Sequence, residues 1–233
     1  MSSSAKLRFM KPHEFDEEAA LLLAQYQEKS GPLNGPPVPV DDIVELHLGL
    51  RLEFNDMQKL FGVRDIHGAL WVNERRVGID SRLDPERNPS MLGRYRFTLA
   101  HEAGHWQLHR HLFKRWANQL SLLPEDAERP EYICRSSDND PLEFQANSFA
   151  SCLLMPKHMV LQAWQTAHGS LDPVFVEDLR SSVLAVNCDG SDGELLESVA
   201  LPLAEKFEVS GEAMRIRLEV LGLLKRKKEA TLF

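Results

Sequence analysis

The sequence predicts an α+β fold, with helices around a small sheet and a C-terminal pair of helices. Three observations carry that expectation. Apolar residues recur at helical spacing in several stretches of ten residues or more. Two short alternating runs, Ala69-Leu70-Trp71-Val72 and Val77-Gly78-Ile79, flank a polar turn and read as a hairpin. Near the end, Leu203 to Leu224 has the outline of a helix-turn-helix, with Ser210 placed to cap its second helix.

At 233 residues the chain is long enough to bury a substantial core. Its 43% hydrophobic and 27% charged residues are ordinary globular values. A net charge of -8 argues against generic nucleic-acid binding. No apolar run approaches the roughly 18 residues of a membrane span. Leu21-Leu22-Leu23 follows Glu14, Asp16, Glu17 and Glu18, the wrong flank for a signal peptide. With three cysteines and no close pair, a disulfide framework is not expected, and Cys152 reads as core. These features describe an acidic, soluble, cytoplasmic protein without membrane association.

Taken in order, Pro12 to Lys29 is expected to be helical, burying Phe15, Ala19, Leu22, Leu23 and Tyr26 and stopping at Ser30-Gly31-Pro32. The Pro- and Gly-rich stretch from Pro32 to Pro39 is a linker or loop. Asp41 is expected to cap a second helix carrying Ile43, Val44, Leu46 and Leu48, with Gly49 as its stop. A strand follows over Leu50 to Phe54, then the hairpin. That hairpin either offers an edge to an extended peptide or simply supports the next helix, and the two readings are compatible.

The central helix runs from about Met91–Arg94 to Arg115, with Phe97, Leu99, Ala100 and Ala103 suited to burial. Ser121 to Pro141, with Pro124 and Pro130, reads as a loop. Leu142 to Met155 is a strongly apolar helix ended by Pro156, and Lys157 to Ala167 a further one. The cluster from Asn187 to Gly193 has the wrong glycine spacing for a calcium loop and reads as a polar turn. Residues 1–168 are expected to form the main domain, 169–198 a connecting segment, and 199–233 the helical pair with a basic tail.

The central helix carries His101-Glu102-Ala103-Gly104-His105. Residues four apart on a helix lie one above the other, so both imidazoles can reach one metal ion. Glu102 lies about 100° around the helix from His101, placed to act as a general base. A catalytic zinc site uses three protein ligands, so one more is needed. His109 lies about 12 Å along the axis from His101, too far to share an ion. His111 has the metzincin spacing, but Leu108 stands where that pattern has the glycine that breaks the helix. Glu143 opens a Glu-x-x-Ala-Asn-x-Phe-Ala helix, the downstream glutamate pattern of gluzincin-type enzymes. There Asn147, one turn on, could hydrogen-bond a ligand histidine. The alternative for Glu143 is an exposed acid in a first helical turn.

Three blocks resemble the ImmA/IrrE family of metallo-endopeptidases. They are Arg96 to His105, then Glu143-x-x-Ala146-Asn147-x-Phe149-Ala150-x-x-Leu153-Leu154-Met155-Pro156, and the Leu203–Leu223 helical region. The resemblance implies a zincin-like core followed by a helix-turn-helix-like region. It implies a zinc-dependent endopeptidase that cleaves a helix-turn-helix repressor and derepresses stress-response or mobile-element genes. His101, His105 and Glu143 match the family's metal ligands, and Glu102 its general base. The ligand set suits zinc best and also accommodates manganese or iron. The segment between His105 and Glu143 is long for the family. The chain's end soon after the third block implies that it lacks the sensor-like domain of the radiation-response members.

For oxyanion stabilisation the sequence offers Tyr95, Tyr132 and His158 without choosing among them. In the helical pair, Arg215 or Arg217 could contact DNA, aided by Lys225-Arg226-Lys227-Lys228. Glu212 and Glu219 on the same helix favour a structural pair instead. The competing function is a regulatory or toxin–antitoxin component that binds a repressor or DNA without proteolysis.

Overall fold

The computed structural model describes residues 7–113, 132–135, 140–181 and 191–226, the side chains of 132–135 and 181 excepted. Two compact units divide it: Met1–Leu33 with Val38–Leu154, and Asn34–Pro37 with Met155–Phe233.

The first unit begins with α1 (Pro12–Ser30), which buries the five residues its periodicity marks: Phe15, Ala19, Leu22, Leu23 and Tyr26. Leu22 is fully enclosed, worth about 1.5–3 kcal/mol of apolar transfer. The next helix differs from expectation. Only α2 (Val40–Asp42) is α-helical, and Ile43–His47 continues as a π-helix. Asp41 lies inside this helix rather than capping it, and accepts a hydrogen bond from the Tyr95 hydroxyl. Ile43 and Val44 are buried, while Leu46 faces solvent. Gly49 takes the left-handed conformation that ends the segment.

The strands are β1 (Arg51–Asn55), β2 (Ile66–Trp71), β3 (Arg76–Asp80) and β4 (Tyr132–Arg135). A short helix, α3 (Met57–Phe61), precedes β2, capped by the Asp56 side chain accepting from the Lys59 amide. Strand order is β1-β3-β2-β4. The hairpin pairs antiparallel, Leu70 with Val77 and Trp71 with Arg76. β1 joins β3 in parallel, and β4 pairs antiparallel with the other side of β2. Tyr132–Arg135 falls in the stretch that the sequence reads as a loop; main-chain pairing to β2 makes it a strand, while 121–131 and 136–139 lie outside the described residues.

The central helix, α4 (Leu92–Gly104), packs on β2 and β3 and against α5 (Pro141–Leu154). α1 packs against α5 as well. α4 is therefore enclosed, and residues Thr98 to Gly104 are all buried. It passes into a π-helical turn, His105–His109, and the chain stays helical to Phe113.

The second unit holds α6 (Lys157–His168), β5 (Val174–Phe175), α7 (Val176–Ser181), α8 (Asp192–Phe207), α9 (Gly211–Val220) and β6 (Leu224–Lys225). Its core includes Trp164, Leu196, Phe207, Met214 and Leu218. α8 and α9 form the expected helical pair. The Ser210 hydroxyl accepts from the Ala213 amide at 3.1 Å and caps α9. The turn expected at Asn187–Gly193 lies outside the described residues as far as Gly190. Among the described residues, no helix is long and apolar enough to cross a membrane.

Candidate metal centre

The centre is built beside a tight contact between α4 and α5. At that crossing Gly104 faces Ala146: a Cβ on Gly104 would stand 3.2 Å from the Ala146 Cα, its carbonyl oxygen and the Phe149 ring. Nothing larger than hydrogen fits there without a shift. His101 and Glu143 each lie three residues before their helix's contact residue, so the crossing turns them toward each other. His105 follows Gly104 directly.

The Nε2 atoms of His101 and His105 are 2.9 Å apart. Glu143 Oε2 is 3.2 Å from His101 Nε2, and Oε1 is 3.5 Å from His105 Nε2. All three side chains are buried, and their ligand atoms lie within 4.8 Å of one another. Tetrahedral zinc at about 2.0–2.1 Å from its ligands places neighbouring ligand atoms about 3.3 Å apart, so these separations bracket what one ion needs. Burial pushes His105 down to about 3, which keeps the imidazole neutral, the form that donates a lone pair to a cation. Two imidazole nitrogens and a carboxylate converging on one buried point therefore fit a divalent cation.

Glu102 is fully enclosed, and neither carboxylate oxygen has a hydrogen-bond partner among the described residues. Burial pushes its carboxyl up to about 8. An unsatisfied buried carboxylate is costly. It suits a group whose partner arrives with the reaction.

β2 makes room for it. A Cβ on Gly68 would lie 2.3 Å from Glu102 Oε1, so that carboxylate rests against bare backbone. Sequence reasoning missed Gly68, although an isolated glycine inside a strand pattern is the known signal of close approach.

The outer faces of the imidazoles are also engaged. His101 Nδ1 lies 2.9 Å from Asn147 Oδ1, the contact foreseen for Asn147. His105 Nδ1 lies 3.0 Å from His109 Nδ1, and His109 Nε2 lies 2.9 Å from Gln145 Oε1. His109 is thus no part of the three-residue cluster, as its axial distance demands, yet it touches His105. His111 is exposed, because the helix runs on past Leu108 without the bend that would return it.

The oxyanion candidates fare less well. Tyr95 donates its hydroxyl proton to Asp41, and burial together with that bond raises its pKa far above the usual phenol range. His158 is exposed on α6. The Tyr132 side chain lies outside the described residues.

The profile of the M78 peptidase family, described as an IrrE N-terminal-like domain, matches residues 49–219. The chain belongs to this family. M78 members are metallopeptidases, and the match takes in His101, Glu102, His105 and Glu143 together with Gly68 and most of α9. The M78 assignment and the donor set agree on a metal-dependent peptidase acting on a protein substrate. No curated protein is similar enough to this chain to add to that result.

Proposed function

We propose that this M78 member is a zinc-dependent endopeptidase in which His101, His105 and Glu143 hold the metal and Glu102 is the general base. The observation that carries the reading is one buried point. Three ligand atoms converge there beside a carboxylate that has no hydrogen-bond partner among the described residues.

His101 and His105 would bind through Nε2, and Glu143 through its carboxylate. Zinc, when bound, supplies Lewis acidity toward the scissile carbonyl and lowers the pKa of water toward about 7. Glu102 accepts the proton of the attacking water on its carboxylate and delivers it to the nitrogen of the leaving amine. The water's oxygen forms the new bond to the carbonyl carbon, and the C–N bond breaks. Gly68 gives the Glu102 carboxylate its place, and the crossing at Gly104 and Ala146 fixes the distance between the helices that supply the ligands.

The substrate we propose is a helix-turn-helix repressor, cleaved in the cytoplasm so that stress-response or mobile-element genes are derepressed. Its support is the resemblance of the three sequence blocks to ImmA/IrrE enzymes. The helical pair of the second unit gives no support to a DNA-binding alternative. Arg217 is buried and donates to the Met155 carbonyl at 3.0 Å, and Arg215 is engaged by Glu219 at 3.1 Å.

The test is Glu102→Gln. The variant should bind zinc as the wild type does and fail to cut a co-expressed repressor encoded beside it. Undiminished cleavage would end the assignment of Glu102. Repressor inactivation without any cut, equal in both proteins, would favour the binding alternative.

A further inference from the structure

His105 is the start of a hydrogen-bond chain that runs away from the candidate metal point. Its end is a backbone carbonyl, and that end determines every proton in between. Gln145 Nε2 lies 2.7 Å from the Arg8 carbonyl oxygen, which can only accept. The NH2 group of Gln145 must therefore face Arg8, and its Oε1 must face His109. His109 Nε2, 2.9 Å from that oxygen, must carry a proton to bond it. A neutral imidazole has one N–H, so His109 Nδ1 is then a bare acceptor. His105 Nδ1, 3.0 Å away, must donate to it. What remains is a bare Nε2 on His105, facing His101 and Glu143.

We propose that His109 and Gln145 are positioning residues, a directional relay that holds His105 in the one tautomer able to bind metal through Nε2. The inference rests on the metal reading above. It assigns a task to a histidine whose spacing rules it out as a ligand.

The local structure supports the relay. In the π-helical turn His105–His109 each residue turns less than in an α-helix, which brings positions four apart nearer to one line along the axis. His109 is 1% exposed and Gln145 6%. The Phe113 ring lies 6.0 Å from that of His105 and 6.2 Å from that of His109, apolar cover over the link between them. Asn147 contacts His101 from an exposed position on its helix. His105 sits deeper and is served through two side chains.

Partners of this kind typically contribute 10–100-fold to metal affinity. The experiment compares zinc affinity, by competition with a chromophoric chelator, for the wild type, His109→Phe, Gln145→Met and Gln145→Glu. Visible spectra of the cobalt-substituted proteins report ligand geometry. The relay predicts that His109→Phe and Gln145→Met weaken zinc binding by roughly 10–100-fold and alter the cobalt spectrum. Gln145→Glu, held as the neutral acid by burial, donates its O–H to the Arg8 carbonyl and keeps an acceptor for the His109 N–H, so it should stay within about threefold of the wild type.

A packing role predicts the opposite order, because methionine fits an apolar site and a buried carboxylate does not. Wild-type affinity in Gln145→Met with loss in Gln145→Glu would overturn the relay. Should His109→Phe fail to fold, the Gln145 pair and the tautomer of wild-type His109 still decide. Long-range nitrogen NMR of the zinc-loaded protein should find that proton on Nε2, and finding it on Nδ1 would overturn the relay. A wild type that binds no zinc would remove the metal reading itself, an outcome distinct from variants that bind as it does.

Discussion

Gly104 and Ala146 meet at the crossing of α4 and α5, with room for no side chain on Gly104. This contact sets the separation of the helices that carry His101, His105 and Glu143. A larger residue should act on the metal site although it touches no ligand atom. Gly104→Val is expected to weaken zinc binding at least tenfold and to cost about 1–3 kcal/mol of stability through overpacking. Chelator competition and thermal unfolding measure the two effects.

Gly68 and Glu102 form a second close pair. The Cβ of Gly68→Ala would displace the far end of a side chain rather than backbone, so the fold should survive and the carboxylate should move. The variant is expected to keep its zinc and to lose about 10²–10⁴ in kcat, the usual contribution of a positioned acid–base group. Metal analysis and steady-state kinetics on a peptide substrate separate this from a loss of metal.

Removing the metal should cost both activity and stability. Chelation is expected to abolish cleavage, and added zinc to restore it. Free zinc at 100 times its dissociation constant should stabilise the fold by about 2.7 kcal/mol. Glu143→Ala should show no such rise in melting temperature.

The metal-free protein should carry a signature of Glu102. Burial raises its carboxyl to about 8 from an ordinary 4.5. The folded state then holds this proton more tightly than the unfolded state. The resulting stability is fully present below pH 4.5 and is lost as pH rises to about 8. Glu102→Gln has no such proton to lose. In chelator, its urea midpoint should therefore gain on the wild type as pH rises through that window.

Much of this arrangement is legible in the sequence because it is local. The buried stripe of α1, the hairpin turn before Arg76 and the Ser210 cap follow from period and turn chemistry within a few residues. So does the facing of His101 and His105, which one helical turn dictates. Glu143 is legible only as a pattern, since nothing local says which helix it will meet.

What the sequence does not show depends on distant partners. The parallel pairing of β1 with β3 and the strand at Tyr132–Arg135 need residues far along the chain. Asp41 reads as a cap until Tyr95, on another helix, becomes its partner. The π-helical turn at His105–His109 has no propensity signature, and without it His109 is only a histidine at the wrong distance. Gln145 gains its meaning from the Arg8 carbonyl.

If two helices meet at one metal, the zinc content of the protein must depend on Glu143 and not on His111. Zinc should be measured by elemental analysis in purified wild type, Glu143→Ala and His111→Ala. About one zinc per chain is expected in the wild type and in His111→Ala, and almost none in Glu143→Ala. Full zinc in Glu143→Ala with loss in His111→Ala would contradict it.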